Sequence, residues 1–330
     1  MGDVAKLAGV SQQTVSRVVN AREYVGGDTR ERVLTAMREL NYRPNRAAQA
    51  LVTGRSKTLG VISIESVAFG PSSVLLGLER AAHAHGYLVS VARLASLDRG
   101  SLFQALEQLQ RQSVEGILLN TGQDGITSEL DRDLMDVPVV AVEDTPEAAV
   151  PIVAVNQEGG AAAATRLLLG LGHRNVSHVA GPEDWSSARR RMEGWHAVLE
   201  SADVPVPPPL FGDWSVRSGY ELGSLLARDR DVTAIFAAND EMALGVMRAM
   251  FEAGRAVPGD VSIVGFDDVP FARYLTPPLT TIRQDFEEIG ERSVHLLLDA
   301  IHGVDDSRAR AAITPELVVR ESTAPVVIRA

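Results

Sequence analysis

Apolar residues follow two different rhythms along this chain. Over the first 40 positions they recur at helical spacing in short runs. Val4, Ala5, Leu7 and Ala8 are the apolar positions of a segment that begins at Asp3. Val15, Val18 and Val19 stand at i, i+3 and i+4 of a second, and Val33, Ala36, Met37 and Leu40 line a third. Gly9 suits the tight turn between the first two helices. Ser11 suits the N-cap of the second, where its hydroxyl accepts a free backbone N–H. Asp28, with Glu31 three residues on, predicts a capping box at the start of the third, and Pro44 predicts its stop. Asn45–Leu51 then predicts a short, Ala-rich helix with almost nothing to bury, which is unstable alone. Gly54, Ser56 and Thr58 read as linker.

From Leu59 the rhythm changes to apolar runs alternating with amphipathic segments. Strands are predicted at 59–64, 87–92, 116–120, 139–142, 152–155, 176–180, 234–238 and 261–266. Helices are predicted at 72–85, 102–112, 129–135, 159–171, 187–199, 241–251 and 286–301. Continuous apolar strands flanked by helices imply parallel sheets covered on both faces. The predicted class is α/β: a helix-turn-helix head followed by two doubly wound parallel-sheet subdomains with a cleft between them. The expected division is a headpiece over 1–44, a hinge and linker over 45–58, and a core over 59–330. Within the core, one subdomain takes about 59–155 and 286–313, the other about 156–285 and 314–330.

Composition sharpens this picture through its charge. The 330 residues carry a net charge of −11. Ten of the 32 basic and five of the 43 acidic residues lie in 1–58, which gives that head +5; the remaining 22 and 38 give the body −16. A basic head on an acidic body is the asymmetry of a separate nucleic-acid module, with contact confined to the head. There is no cysteine, hence no disulfide and no thiolate metal site. His83, His85, His196, His295 and His302 have no metal-ligand spacing, and no metal or cofactor is expected. The opening residues hold no long apolar leader and no run is long enough to cross a membrane, so the expectation is a cytoplasmic protein without a membrane partner. Nucleophile-elbow, HExxH, Walker A and dinucleotide-binding signatures are all missing, so no enzyme is expected.

Candidate DNA contacts lie on the polar face of the second helix: Ser11, Gln12, Gln13, Thr14, Ser16, Arg17 and Asn20. Gln pairs bidentately with adenine, Arg with guanine, and Ser with either. The same pattern fits an ordinary helical corner with a solvated face. Tyr24 fits a phosphate contact or a core lid equally well. Leu51 is placed to wedge between base pairs in the minor groove.

Ligands of doubly wound sheets sit beyond the C-terminal strand ends. Asn120, Glu143, Asn239, Asp240, Asp267 and Asp268 follow such ends, Arg189–Arg191 open a helix, and Trp214 sits in a loop. Carboxylates, amides, an arginine and an indole together suit a sugar. Asp240 suits a helix N-cap better than a ligand contact, Asp268 also suits a turn, and His173 is read as a cationic helix C-cap and not a catalyst.

The segments DVAKLAGVSQQTVSRVVN, TRERVLTAMRELNYRPNRAAQAL, AGPEDWSSARRRMEGW, GDWS, NDEMALGVMRA, SIVGFDD and PPLTTIRQDF together resemble the LacI family of bacterial transcription regulators over essentially the full length. The resemblance implies a headpiece, a hinge helix and a core like a periplasmic sugar-binding protein. It implies a homodimer on double-stranded operator DNA, released by a small sugar effector, a galactoside. Gln12, Gln13 and Arg17 match base-reading positions, and Asn45, Ala48 and Leu51 match the hinge helix. Arg191, Asn239 and Asp267 match polar sugar contacts, Trp214 the stacking residue, and Pro71, Val74, Gln284 and Phe286 the pocket wall. Glu143 is one methylene longer than the Asp of the matching pattern. Ala68, Phe69 and Val155 also depart from it. The chain lacks a leucine heptad tail, so the expected assembly is a dimer, with contacts along Ser72–His85 and Tyr274–Pro278. The alternatives are a regulator whose corepressor is a molecule such as a purine, and a sugar-binding protein that does not bind DNA.

Overall fold

The computed structural model describes residues 1–19, 25–43, 50–51, 53–65, 68–94, 96, 98–122, 137–142, 150–304 and 309–326. Its contacts divide the chain into two compact units, Met1–Lys57 and Thr58–Ala330.

In the first unit, α1 (Gly2–Ala8), α2 (Gln12–Val19) and α3 (Gly27–Glu39) close around Val4, Ala5, Ala8, Val15, Val18, Val33 and Ala36. Gly9 turns the chain at φ 63°, and its N–H bonds back to the carbonyls of Ala5 and Lys6. Ser11 Oγ accepts the Thr14 N–H at 3.1 Å, the expected cap.

Three expectations for this unit are corrected. The cap of α3 is Gly26, with no side-chain bond, so Asp28 and Glu31 form no capping box. Leu7 and Leu40 are exposed, because Val10, Val25, Met37 and Tyr42 already pack around so small a core. The stop of α3 comes at Glu39, ahead of Pro44. Asn41 takes φ 47° there, and the Tyr42 N–H reaches the Met37 carbonyl at 2.8 Å.

The second unit opens with β1 (Thr58–Ile64), α4 (Phe69–Ala84), β2 (Leu88–Leu94), α5 (Arg99–Arg111), β3 (Ile117–Asn120), β4 (Val139–Ala141) and β5 (Ile152–Val155). It continues with α6 (Gln157–Gly170), β6 (Val176–Ala180), α7 (Ser186–Ser201), β7 (Leu210–Phe211), α8 (Val216–Leu226), β8 (Ala234–Ala237), α9 (Asp240–Glu252), β9 (Ser262–Asp267) and β10 (Thr280–Arg283). The last elements are α10 (Phe286–Ile301), β11 (Arg310–Ile313) and β12 (Glu316–Val318).

Two six-stranded sheets result, ordered β11-β5-β4-β3-β1-β2 and β12-β10-β9-β8-β6-β7. All residues of β3, β4, β6, β8 and β9 are buried, which is why these strands read as unbroken apolar runs. Four apolar clusters hold the unit together, and each draws on residues of one sheet and its helices. The glycines at the α4–α10 contact set its spacing. A β-carbon on Gly77 would stand 2.2 Å from the Phe286 carbonyl oxygen, and one on Gly290 2.3 Å from the Gly77 carbonyl carbon. The two backbones therefore touch, and no larger residue fits between them.

The patterning missed β7, α8, β10, β11 and β12. The second sheet is also not wholly parallel, since β12 pairs antiparallel with β10 along one edge. α4 starts at Phe69, three residues ahead of the expected Ser72. The helix expected at 129–135 lies outside the described residues.

Candidate functional site

The polar face of α2 is built by its apolar one. Val15 and Val18 are buried, and that rotation leaves Ser11, Gln12, Gln13 and Arg17 exposed, with Thr14 and Ser16 half-buried. Ser11 spends its hydroxyl on the cap and lies 2.9 Å from Thr14 Oγ1, so the start of α2 is ordered by its own side chains. Asn20, Tyr24, Asn45 and Ala48 lie outside the described residues. Leu51 is described and is 88% exposed.

In the second unit a cleft of about 830 Å³ opens at the C-terminal strand ends. Pro71, Val74, Asn120, Val155, Arg191, Trp214, Asn239, Asp267, Gln284 and Phe286 all line it. Glu143 lies outside the described residues. Strand ends supply most of the polar groups: Asn120 closes β3, Asp267 closes β9, Gln284 follows β10 and Asn239 precedes α9.

Arg191 organises the polar end. Its Nε donates to Gln157 Oε1 at 2.8 Å, its Nη1 to the Ala238 carbonyl, and its Nη2 to Asp267 Oδ1 at 3.5 Å. Gln157 Nε2 donates to Gln284 Oε1 at 3.0 Å, and Gln284 Nε2 to Asp267 Oδ1 at 2.6 Å. Arg191, Gln157, Gln284 and Asp267 therefore form a closed ring of donors and acceptors, all buried. Burial raises the Asp267 pKa, opposed by the Arg191 charge and the Gln284 and Arg191 hydrogen bonds. Burial also works against the Arg191 charge, which Asp267 and then Asp240 restore. The guanidinium carbon lies 3.8 Å from the Phe266 ring centroid and 5.6 Å from that of Trp214.

Two of the amides are partly committed to the protein. Asn239 Oδ1 caps α9 by accepting the Met242 N–H at 2.8 Å, while its Nδ2 donates to the Trp214 carbonyl at 3.0 Å. That second bond holds Trp214, which adopts φ 72°. Asn120 Nδ2 donates to the Pro71 carbonyl at 3.0 Å. The aromatic end comprises Trp214 and Trp185, 5.7 Å apart with their planes at 76°, and the edge-to-face pair Phe69 and Phe286. The Trp214 Nε1–H is buried and has no acceptor among the described residues.

Several alternative readings are resolved by these contacts. Asp240 is not the cap of α9. It is wholly buried, accepts from Thr281 Oγ1 and the Val269 N–H, and has a pKa raised well above the ordinary value by burial and then by Asp267. Asp268 does more than shape a turn, because it joins Arg283 at 2.7 Å and Arg320 at 2.6 Å. His173 is not a cationic helix cap. It is buried among Thr233, Ser262 and the Ala324 carbonyl, and desolvation lowers its pKa. Of the three consecutive arginines only Arg191 lines the cleft; Arg189 bonds the Glu183 carbonyl and Arg190 pairs with Glu193.

Sequence reasoning missed Gln157 and Trp185. Both stand at helix starts, Gln157 two residues beyond β5 and Trp185 just before α7, where a polar or aromatic residue has ordinary structural uses. Among the described residues no cluster of potential ligands could hold a metal, and no helix is long and apolar enough to cross a membrane.

Comparison with known proteins agrees with both units. The family model for bacterial regulatory proteins of the lacI family matches residues 1–45, and that for a periplasmic binding protein-like domain matches 165–323. The lactose operon repressor of Klebsiella pneumoniae is 35% identical over 98% of this chain and 92% of its own. The repressor PurR of Haemophilus influenzae is 34% identical over 97% of both chains, and the ribose operon repressor of Escherichia coli 32% over 98% and 99%. The solved lac repressor dimer bound to operator and the anti-inducer ONPF superimposes with a TM-score of 0.88 at 35% identity, covering 98% of each chain. The chain therefore belongs to the lacI family of bacterial regulatory proteins, as a DNA-binding transcriptional repressor with a helix-turn-helix domain and a periplasmic-binding-protein-like core.

Proposed function

We propose that this repressor acts as a homodimer and leaves its operator when a small neutral sugar enters the cleft of the second unit. The observation that carries this reading is the pairing of the Arg191–Gln157–Gln284–Asp267 ring with an indole, Trp214, in one cleft. Fixed donors and acceptors suit vicinal hydroxyls, and an indole face suits the C–H face of a pyranose. Gln12, Gln13 and Arg17 read bases, with Ser11, Thr14, Ser16, Asn20 and Tyr24 around them. Asn45, Ala48 and Leu51 form the hinge in the minor groove. Pro71, Val74, Asn120, Glu143, Val155, Asn239 and Phe286 complete the effector site.

A galactoside is the first choice of effector, by similarity to the lactose operon repressors. A purine corepressor is the second reading, favoured by the similarity to PurR. The sugar releases DNA only through unequal affinity for the DNA-bound and free conformations, and a coupling of about 2–3 kcal/mol changes occupancy roughly 100-fold.

A thermal-shift screen of the purified protein against galactosides, glucosides, free monosaccharides and purine bases tests the reading. A ligand at about 100 times its Kd adds roughly 2.7 kcal/mol of stability. Stabilisation by a glycoside that also releases operator DNA is the expected result. Stabilisation by purines alone, with tighter operator binding, establishes the corepressor instead.

A further inference from the structure

The two indoles of the cleft cannot serve the same piece of a ligand. We propose that Trp185 is a specificity-determining residue that packs on the second ring of a two-ring glycoside, a disaccharide or an aryl glycoside. The Arg191 ring of hydrogen bonds and Trp214 hold the first ring. This inference rests on the sugar reading above and narrows it.

The argument is geometric. Trp185 and Trp214 both line the cleft, with ring centroids 5.7 Å apart and planes at 76°. A pyranose presents one broad C–H face to an aromatic surface, and it cannot lie flat on two planes so steeply inclined. Trp214 stands nearer the hydroxyl-binding groups, with the Arg191 guanidinium 5.6 Å from its ring, and so takes the first ring. Trp185 is left as an aromatic surface that a further ring of the same ligand can cover. A purine has a single plane, so it stacks flat on one indole and meets the other only edge-on.

The protein makes room for Trp185 in a specific way. A β-carbon on Gly122 would stand 3.0 Å from Cζ3 of Trp185, and Gly122 has φ 67°. Gly122 follows β3 of the first sheet, whereas Trp185 precedes α7, which packs on the second. The Ser186 hydroxyl beside it donates to the Gly122 carbonyl at 3.4 Å. The indole thus reaches across the cleft and rests on a glycine, where a β-carbon would press on its ring and the left-handed φ favours glycine. Trp185 is also dispensable for starting its helix, since it is the N-cap of α7 and makes no side-chain cap bond. Placing the largest side chain at a cap it does not serve needs another use, and the cleft supplies one.

The test is calorimetric titration of the full chain with methyl β-galactoside, methyl β-glucoside, lactose, cellobiose and phenyl β-galactoside. In the unaltered protein at least one two-ring ligand is expected to bind about tenfold or more tighter than its one-ring counterpart. Trp185→Ala is expected to bring that ratio close to unity, and Trp185→Phe to keep most of it. A ratio untouched by Trp185→Ala, or an equal loss for one-ring and two-ring ligands, overturns the inference while leaving the sugar reading intact. No binding of any glycoside by the unaltered protein removes the sugar reading, and this inference with it.

Discussion

A buried guanidinium depends on nearby carboxylates for its charge, and for Arg191 these are Asp267 first and Asp240 second. Arg191 and Asp267 are both nearly inaccessible, so removing either leaves the other charged and unpaired. Asp267→Asn is expected to cost about 3 kcal/mol in urea unfolding. It is also expected to abolish the response to effector while operator binding persists, and a normal response in gel-shift titrations would remove Asp267 from the effector site.

His178 is the other buried group with a measurable consequence. Its ring stacks on Phe236 with centroids 4.7 Å apart, and its Nδ1 lies 2.9 Å from the Phe236 carbonyl. Burial holds its pKa down to about 4, against an ordinary 6.5. The unfolded chain therefore binds the proton first. The stability this group contributes is whole above pH 6.5, falls as pH drops from there towards 4, and amounts to about 3 kcal/mol. Asp240 and Asp267 have the opposite sign, since burial raises their folded pKa and acid relieves them. The expected signature is thus a difference: the unfolding free energy of His178→Phe, relative to the unaltered protein, gains on it steadily between pH 6.5 and 4. A constant difference across that range would mean His178 does not titrate on unfolding.

Asn120, Asp267 and Arg191 were legible as residues of the cleft because polar groups at the ends of apolar strands, or early in a helix beside them, have few structural excuses. Gln157 was not. Its partner Gln284 is 127 residues away in sequence, and no local spacing announces that hydrogen bond.

At the scale of elements, legibility tracks burial. Strands buried on both faces announce themselves as apolar runs, and α10 came out at Phe286–Ile301 as read. The elements missed are those for which burial leaves little trace. β7 has two residues, β12 has three on a partly exposed edge, and β10 is Thr-Thr-Ile-Arg. α8 carries Gly219 and Gly223 where a helix former would have marked it. The α4–α10 contact gives a sharp expectation. Gly77→Ala must push two backbones apart, and is expected to lower stability by about 1–3 kcal/mol in thermal or urea unfolding. An unchanged midpoint would show that the helices separate freely. Leu51, expected on a short helix with little to bury, belongs to this scale too. Leu51→Ala is expected to weaken operator binding about tenfold and leave effector affinity alone, and an unchanged operator affinity would refute the wedge.

For the whole molecule, charge separation governs behaviour. The basic head and acidic body mean that operator affinity should fall steeply with salt, by about a thousandfold or more between roughly 50 and 200 mM if six or more phosphates are neutralised. A neutral sugar should bind with no such dependence. If effector affinity proved equally salt-sensitive, the effector would be an anion and the galactoside reading would fall. Sedimentation should give twice the 35.4 kDa chain mass.

The chain passes between the two sheets three times, and each passage is short. Asn156 alone separates β5 from α6, Gln284 and Asp285 separate β10 from α10, and Thr314 and Pro315 separate β11 from β12. Two extended residues span at most about 7 Å, so these tethers allow almost no translation of one half past the other. What remains is a pivot. Such a rotation would run beside Gln157 and Gln284 and would disturb the 3.0 Å hydrogen bond between them. Exchanging the pocket lining for that of another ligand would then retune which angle is held without rebuilding the joint, which makes this core a transferable lever for engineered sensors.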